Sequence, residues 1–491
     1  MVQALAQGCQ NFGDFWKVGD AKGMATATFA PIAGEWARST VVATNMSMFN
    51  SVATDAAGNI FAAGRRGVHT LIDFGGVSAS GGHTVNFNMA LVKYDPAGNA
   101  VWLKSVLSVS NQSRLSAVAT DASGNVFVAG VHYGSGSFDY GAGALVSTNA
   151  NNNCFIVKYS SAGTPLWSRS MTATPANNCE FNALATDSAG NAYAAGYVAS
   201  TGSFNFNGQA VSGVIAGRNM AIVKYNASGT VVWARGVTSG TLTSDVTGLV
   251  FDETAGELIV VGQQTGAGTL NFNSVAITSP YAGTNAVIIR LNGSTGVAVS
   301  GRTVAAAANV TRFNAVAIGN NQDIYACGYQ TGNTPVDYGG ITSTAAFAGG
   351  NNLLVIKYDA LLVPVWVRSV TTAIDSSECL GIAVSSAGFV TTAGFQTGIS
   401  EFDYGGVRAT GVRAGDNSAI VRFTTGGVGA AASSMAVSPD GSRFNDVAID
   451  TSGAAYAVGH LETNGIFNYG GLLTVQGAYA AGENAVIVKY R

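Results

Sequence analysis

The chain has 491 residues, of which 10% are charged and 47% apolar, with 64 Gly against 8 Pro and a formal net charge of −3. This balance offers no basic face for DNA or RNA, and the apolar runs stay strand-sized, well short of the roughly 18 residues needed to span a bilayer. Richness in Val, Ala and Ile, punctuated by Gly, Asn, Asp and Ser, predicts an all-β chain with many tight turns.

Residues 1–33 read as an N-terminal extension serving as an anchor, a linker or an arm. Within it, Ala4-Leu5-Ala6-Gln7-Gly8-Cys9 resembles a lipobox in which Cys9 would be lipidated, although Ala6 stands where a larger apolar residue is expected. Residues 1–8 show neither the basic start nor the apolar stretch of a secretory leader.

The first strand signal is Glu35-Trp36-Ala37-Arg38-Ser39-Thr40. Phe49 to Asp55 follows, then the turn Ala56-Ala57-Gly58-Asn59 and Ile60 to Gly64; after a longer connection come Met89 to Tyr94, the turn Asp95 to Asn99, and Ala100 to Val106. We label these four runs strands A to D. The glycine closing strand B recurs as Gly64, Gly130, Gly196, Gly262, Gly328, Gly394 and Gly459, at intervals of 66 with a last one of 65. Four short strands repeated seven times predict a seven-bladed β-propeller of four-stranded antiparallel blades. It would form one domain over 34–491, with blades at about 46–107, 112–172, 178–238, 244–305, 310–371, 376–437 and 442–491. The last unit stops after Ile487-Val488-Lys489-Tyr490-Arg491, one strand short, while Trp36 precedes Trp102 by 66. Residues 34–40 are therefore expected to supply strand D of blade seven and remove its exposed edge.

Most repeated residues read as structural. Asp55, Asp121, Asp187, Asp252 and Asp450 start A–B turns completed by Gly, a span too short for an EF-hand-type loop. Asn88, Asn153, Asn219, Asn285, Asn352, Asn417 and Asn484 each precede a Lys or Arg by five and are expected to fix the turn into strand C. The cation is expected to pair locally. In the B–C connection an Asp or Asn (Asp73, Asp139, Asn205, Asn271, Asp337, Asp403, Asn468) sits among aromatics, as in Phe138-Asp139-Tyr140. We read an extra short strand with its aromatics between blades; the alternative is a carbohydrate platform. Arg38, Lys104, Arg169, Arg235, Arg302 and Arg368 of strand D read as edge charges that block sheet-to-sheet association.

One position varies. Just before strand A stand Met48, Arg114, Glu180, Asp245, Arg312, Glu378 and Arg443, six of them charged in a charge-poor chain. They would ring the channel mouth, either as alternating ion pairs between blades or as a pocket for a polar ligand. No G-x-S-x-G, H-E-x-x-H or Walker sequence occurs. The histidines, His69, His83, His132 and His460, fall on or near B–C connections without period. The expectation is therefore not an enzyme, with no cofactor and no metal site. The five cysteines lack metal spacing, and their odd number argues against a full disulfide framework. Cys154 and Cys179 should fall close together and form a candidate disulfide, whereas Cys379 occupies the place of Phe49, Phe181 and Phe313 and reads as core packing.

The string Asp121-Ala-Ser-Gly-Asn125 to Gly130, followed by Phe155-Ile-Val-Lys-Tyr159, resembles the bacterial seven-bladed β-propeller repeat (SBBP) family from Gly34 to Arg491. Ser300 and Ala431 replace the strand D Trp, and Ser385 the turn Asp, suggesting looser blades or blades facing a partner. The resemblance implies a bacterial extracellular or cell-surface location and carries no catalytic residues. The leading expectation is a non-catalytic structural or protein-interaction module with other subunits or surface components as partners. The alternative is a lectin-like propeller binding a glycan or small polar ligand at the B–C connections and channel mouth.

Overall fold

The computed structural model describes residues 31–491 except 69, 85, 110, 148 and 173–176. Cys9, His69 and the extension up to residue 30 lie outside the described residues. Among the described residues no helix is long and apolar enough to cross a membrane.

Seven antiparallel sheets repeat the order A–B–C–D, one per blade. In blade one the strands are Ser47–Thr54, Ile60–Arg66, Asn88–Tyr94 and Ala100–Lys104. The A strands stand side by side around the axis, and that of blade one meets that of blade seven, so the ring is closed. Both faces of a blade are covered by neighbours, which is why strands such as Val126-Phe127-Val128-Ala129 are apolar at consecutive positions and do not alternate. The core is accordingly divided into seven clusters, one at each seam between blades.

Closure follows the sequence reading. Gly34–Ser39 pairs antiparallel with Asn484–Tyr490, with Trp36 opposite Lys489 and Ser39 opposite Val486. Ala33 and Arg491 exchange both backbone hydrogen bonds, at 3.1 and 2.9 Å. The Glu35 carboxylate joins Lys489 at 3.2 Å and Arg491 at 2.8 Å.

The seams explain the strand C and D motifs. Trp102 Nε1 and Lys93 Nζ both donate to the Ser161 carbonyl in the C–D turn of the next blade, at 3.3 and 3.0 Å. Trp233 and Lys224 share Gly293 in the same way. The cation therefore does both: Lys158, Arg290, Lys357 and Lys489 meet a carboxylate of their own blade, as expected, while Lys93, Lys158, Lys224 and Lys357 reach a carbonyl of the next. Four of the six strand D bases, Arg38, Arg169, Arg235 and Arg368, are not free edge charges but bond to the next blade. Arg38 Nε donates to Gly98 O at 2.9 Å and Arg169 Nε to Gly229 O at 2.8 Å, each guanidinium lying over its own strand's Trp. Charge-assisted bonds to a fixed turn carbonyl make these residues latches between blades.

The B–C connection is a two-stranded hairpin, not a single strand, as in Gly136–Asp139 with Ala144–Ser147. Its Asp accepts turn amides, Asp73 Oδ1 from Gly75 and Gly76 at 2.7 and 2.8 Å. Its carbonyl accepts from the chain leaving strand D of the preceding blade, as in Leu107 N to Asp139 O at 2.9 Å. Phe74, Phe138, Tyr140, Phe206 and Tyr404 are buried. A carbohydrate platform needs exposed rings, so the hairpin aromatics do not form one.

Two departures from the repeat are complementary replacements, not loose blades. Elsewhere the strand D Trp lies against a C–D turn glycine of the next blade; Gly229, at φ +80°, has no room for a side chain against Trp167. Where Ser300 replaces the Trp, Leu362 replaces the glycine, keeps its positive φ of 64° and packs, fully buried, on blade four. Where Ala431 replaces the Trp, Ile32 sits opposite within the same cluster. Knob and socket have exchanged sides. Ser300→Trp alone and Leu362→Gly alone should each cost about 2–3 kcal/mol, by overpacking and by a cavity partly offset by released backbone strain. The double variant should lose clearly less than the two single losses added together in urea melts, a coupling of about 2 kcal/mol or more. Additive losses would refute the exchange.

His132 lies within strand B, stacked 4.0 Å from Phe138, and burial lowers its pKa to about 3. It is a core residue. Cysteine pairing goes beyond the sequence reading: Cys154 is bonded to Cys179 across the seam of blades two and three, and Cys379, read as packing, is bonded to Cys327 across that of blades five and six. Packing and pairing coincide, since all four are fully buried.

Candidate functional site

The site grows out of one backbone irregularity. In every blade strand A shifts register against strand B by one residue, at Asn50, Ser116, Asn182, Thr247, Asn314, Leu380 and Asn445. Such a bulge bends the strand and re-aims a side chain. Here it turns the preceding carbonyl toward strand B, onto the place where a Cβ of the repeating glycine would sit; Gly64 faces Met48 O, and Gly196 faces Glu180 O. The period-defining glycine therefore serves the bulge, and the bulge serves the channel.

The re-aimed side chains form a belt. Asn50 Nδ2 donates to Leu115 O at 2.7 Å, Asn182 Nδ2 to Val246 O at 3.0 Å, Asn314 Nδ2 to Cys379 O at 2.8 Å, and Asn445 Nδ2 to Phe49 O at 2.8 Å. Thr247 Oγ1 donates to Phe313 O at 2.6 Å. Each bond joins one A strand to the next. On one side of the belt lies a cavity of about 390 Å³, the mouth; on the other lies a channel of about 260 Å³.

The seven variable residues lie inside strand A, at its second or third position, not before it; Arg114 belongs to Ser113–Thr120 and Asp245 to Thr243–Asp252. They do not simply alternate. Arg114 and Glu180 are the one ion pair formed within the ring, and Glu180 also accepts from Tyr197 OH at 3.2 Å. Asp245 instead meets Arg218 at 2.9 Å and accepts from Asn182 at 2.9 Å. Glu378 accepts from Asn351, and Arg443 Nε donates to Asp416 at 3.0 Å. Beside Met48, Arg65 meets Glu483 at 3.1 Å. Arg312 forms no ion pair among the described residues, although its field reaches Asp245 and Glu378.

Burial sets the electrostatics. It pushes the Asp245 carboxyl up to about 6 against the pull of Arg218 and Arg312. It also raises Glu378, opposed by the Asn351 hydrogen bond and by Arg443 and Arg312. The mouth consequently becomes more positive as the pH falls through about 6.

One channel residue escaped the sequence reading. The residue after the bulge is small in six blades (Ser51, Ala117, Ala183, Gly248, Ala315, Gly381) and is Asp446 in the seventh. The signal was a single charge in a column of small residues. Among the described residues no group of three or more His, Cys, Asp and Glu is gathered as a metal cluster.

A scan against protein-family models gives no match, and a search of curated proteins gives none. Solved structures do match. The WD40 β-propeller domain of Doa1 is 8% identical with a TM-score of 0.43, covering 93% of this chain and 97% of its own. A protein of unknown function from Dyadobacter fermentans is 11% identical with a TM-score of 0.44, covering 94% and 99%. The quinohemoprotein alcohol dehydrogenase of Comamonas testosteroni is 9% identical with a TM-score of 0.39, covering 94% and 76%. The chain is a β-propeller. At these identities the likeness is one of fold alone.

Proposed function

We propose that this propeller is a non-catalytic interaction module for other protein subunits or surface components, and that its partner engages the channel mouth. The observation that carries the reading is the mouth itself, where a seven-fold scaffold in a charge-poor chain abandons its symmetry for buried or half-buried charges, each with its own partner except Arg312. Its carboxylates are held by hydrogen bonds or ion pairs, which favours recognition over acid–base chemistry. Two buried disulfides support an oxidising, extracellular-type compartment. The SBBP-like repeat supports a bacterial surface location.

The test uses Arg312, whose lack of an ion pair makes Arg312→Ala inexpensive to the fold. Affinity capture from the native source, followed by quantitative binding of the purified partner, should lose at least tenfold with Arg312→Ala and Arg218→Ala. An Arg408→Ala control on an outer hairpin should bind normally. Equal binding by all three would refute the mouth as the interface. The second reading, a small polar ligand, is favoured by the mouth's volume of about 390 Å³, within the range of small-molecule sites; a glycan array with wild type and Arg312→Ala tests it.

A further inference from the structure

The channel behind the belt carries polar groups among its apolar lining. The Nδ2 groups of Asn50, Asn182, Asn314 and Asn445 are all committed to neighbouring carbonyls. This leaves four amide oxygens to which no described protein group donates, on residues that line both the channel and the mouth. Beyond them the channel wall carries Asp446. Its Oδ2 accepts from Ser51 Oγ at 2.9 Å and Val52 N at 3.0 Å, and its Oδ1 from Val447 N at 2.8 Å. A carboxylate has about four acceptor positions, so one remains open. Asp446 forms no ion pair with any described Lys, Arg or His. Burial without a counter-charge drives its pKa up to about 6 in spite of three hydrogen bonds.

The repeat argues against a purely structural role. Six seams close with Ser, Ala or Gly at this position, so a carboxylate is not needed to hold two A strands together. A half-buried carboxylate without a counter-charge, lining the same channel as the belt asparagines, favours positive charge in the void.

We propose that the central channel binds a hydrated divalent cation of the calcium class, held by Asp446 and by the amide oxygens of the asparagine belt. All donors are hard oxygens, without imidazole or thiolate, which selects hard cations over zinc or copper. Calcium accepts irregular, partly aqueous coordination, whereas magnesium demands a near-ideal octahedron. A single carboxylate sets weak affinity, of order 0.1–1 mM, as in extracellular modules. This site shares the asparagine belt with the charged mouth but depends on Asp446, which the mouth does not include, and it stands whether or not the mouth binds a partner.

The experiment is calcium titration of the full-length protein after chelator treatment, at constant ionic strength, followed by calorimetry and thermal melting. Wild type should bind one Ca²⁺ per chain and gain about 1–2 °C at tenfold excess over Kd, with a weaker response to Mg²⁺. Asp446→Ala, which restores the small residue typical of the repeat, should lower the affinity at least tenfold. If alanine leaves too large a gap, Asp446→Ser copies blade one and serves equally. Sr²⁺ or Mn²⁺ should give an anomalous peak on the channel wall beside Asp446. No response of wild type up to 10 mM Ca²⁺ (about tenfold above the expected range), or an identical response in both variants, would overturn the proposal. A variant melting equally lower with and without Ca²⁺ would overturn it too, and would make Asp446 merely a cap on the Val52 amide.

Discussion

Deleting residues 34–40 is expected to abolish cooperative folding of the whole ring, although the segment is short and lies at the outer edge. The strand forms a continuous ladder with Asn484–Tyr490 and buries Trp36 and Ala37. Its loss strips the blade seven core and exposes the edge of that strand. A buried Trp is worth about 3–5 kcal/mol and each ladder bond about 1 kcal/mol. Their sum, on the order of 8–10 kcal/mol, rivals the roughly 5–15 kcal/mol net stability of a domain. The ring geometry enlarges the effect, because a disrupted blade seven leaves blades one and six each with an uncovered apolar face. Circular dichroism should show no sharp melting transition in the deletion variant. A synthetic peptide spanning 31–41 should restore one, since the missing contacts are all supplied by that segment. A cooperative melt within 5 °C of the parent, about what a 1–2 kcal/mol loss gives in a domain half this size, would show that blade seven stands on three strands.

How far the sequence could be read depended on whether a feature was copied. Seven repetitions made blade number, strand order and the Trp36 to Tyr490 closure visible, since local pattern and global fold agree there. Contacts across a seam were not visible, because they join side chains to turn carbonyls of another blade, and their recurring separation of 59–60 or 68–69 residues has meaning only once the blades are side by side. Lys93 looked like a partner for its own turn and instead reaches Ser161. Cys327 and Cys379 are 52 residues apart and share no motif, so burial was predicted without the bond. Ser300 read alone is a defect; read with Leu362 it is half of an exchange. At the candidate site, the charged ring was found from its irregularity, but its partners Arg218, Asn351 and Asp416 lie at the entry to strand C and were overlooked. Asp446 was legible but passed over: it stands three residues beyond the charged ring, in a column that is Ser, Ala or Gly in the other six blades, and only the bulge shows that this column faces the channel.

The bulge leads to the second large effect. Gly196→Ala should destabilise the protein by about 3–5 kcal/mol, far more than a methyl group in a strand normally does. Gly-to-Ala changes at unhindered sites are neutral or slightly stabilising, because they restrict the unfolded chain. At Gly196 the added Cβ would overlap the Glu180 carbonyl, with Glu180 C and Asn182 N close behind. These are backbone atoms held by ladder pairing on one side and by neighbouring blades on the other, so neither strand can yield locally. Relief requires undoing the bulge. That would rotate Asn182 away from Val246 and carry Glu180 away from Arg114, so the damage should appear at the mouth as well as in stability. Urea unfolding of Gly196→Ala should therefore be compared with Gly426→Ala, where φ is not positive and the nearest heavy atom is 3.7 Å away; the control should shift by no more than about 0.5 kcal/mol. Similar small losses in both would mean that the glycine is kept for strand flexibility. A large loss confined to Gly196→Ala would tie the 66-residue signature to the channel, because the glycine permits the bulge and the bulge places both the asparagine belt and the charged ring.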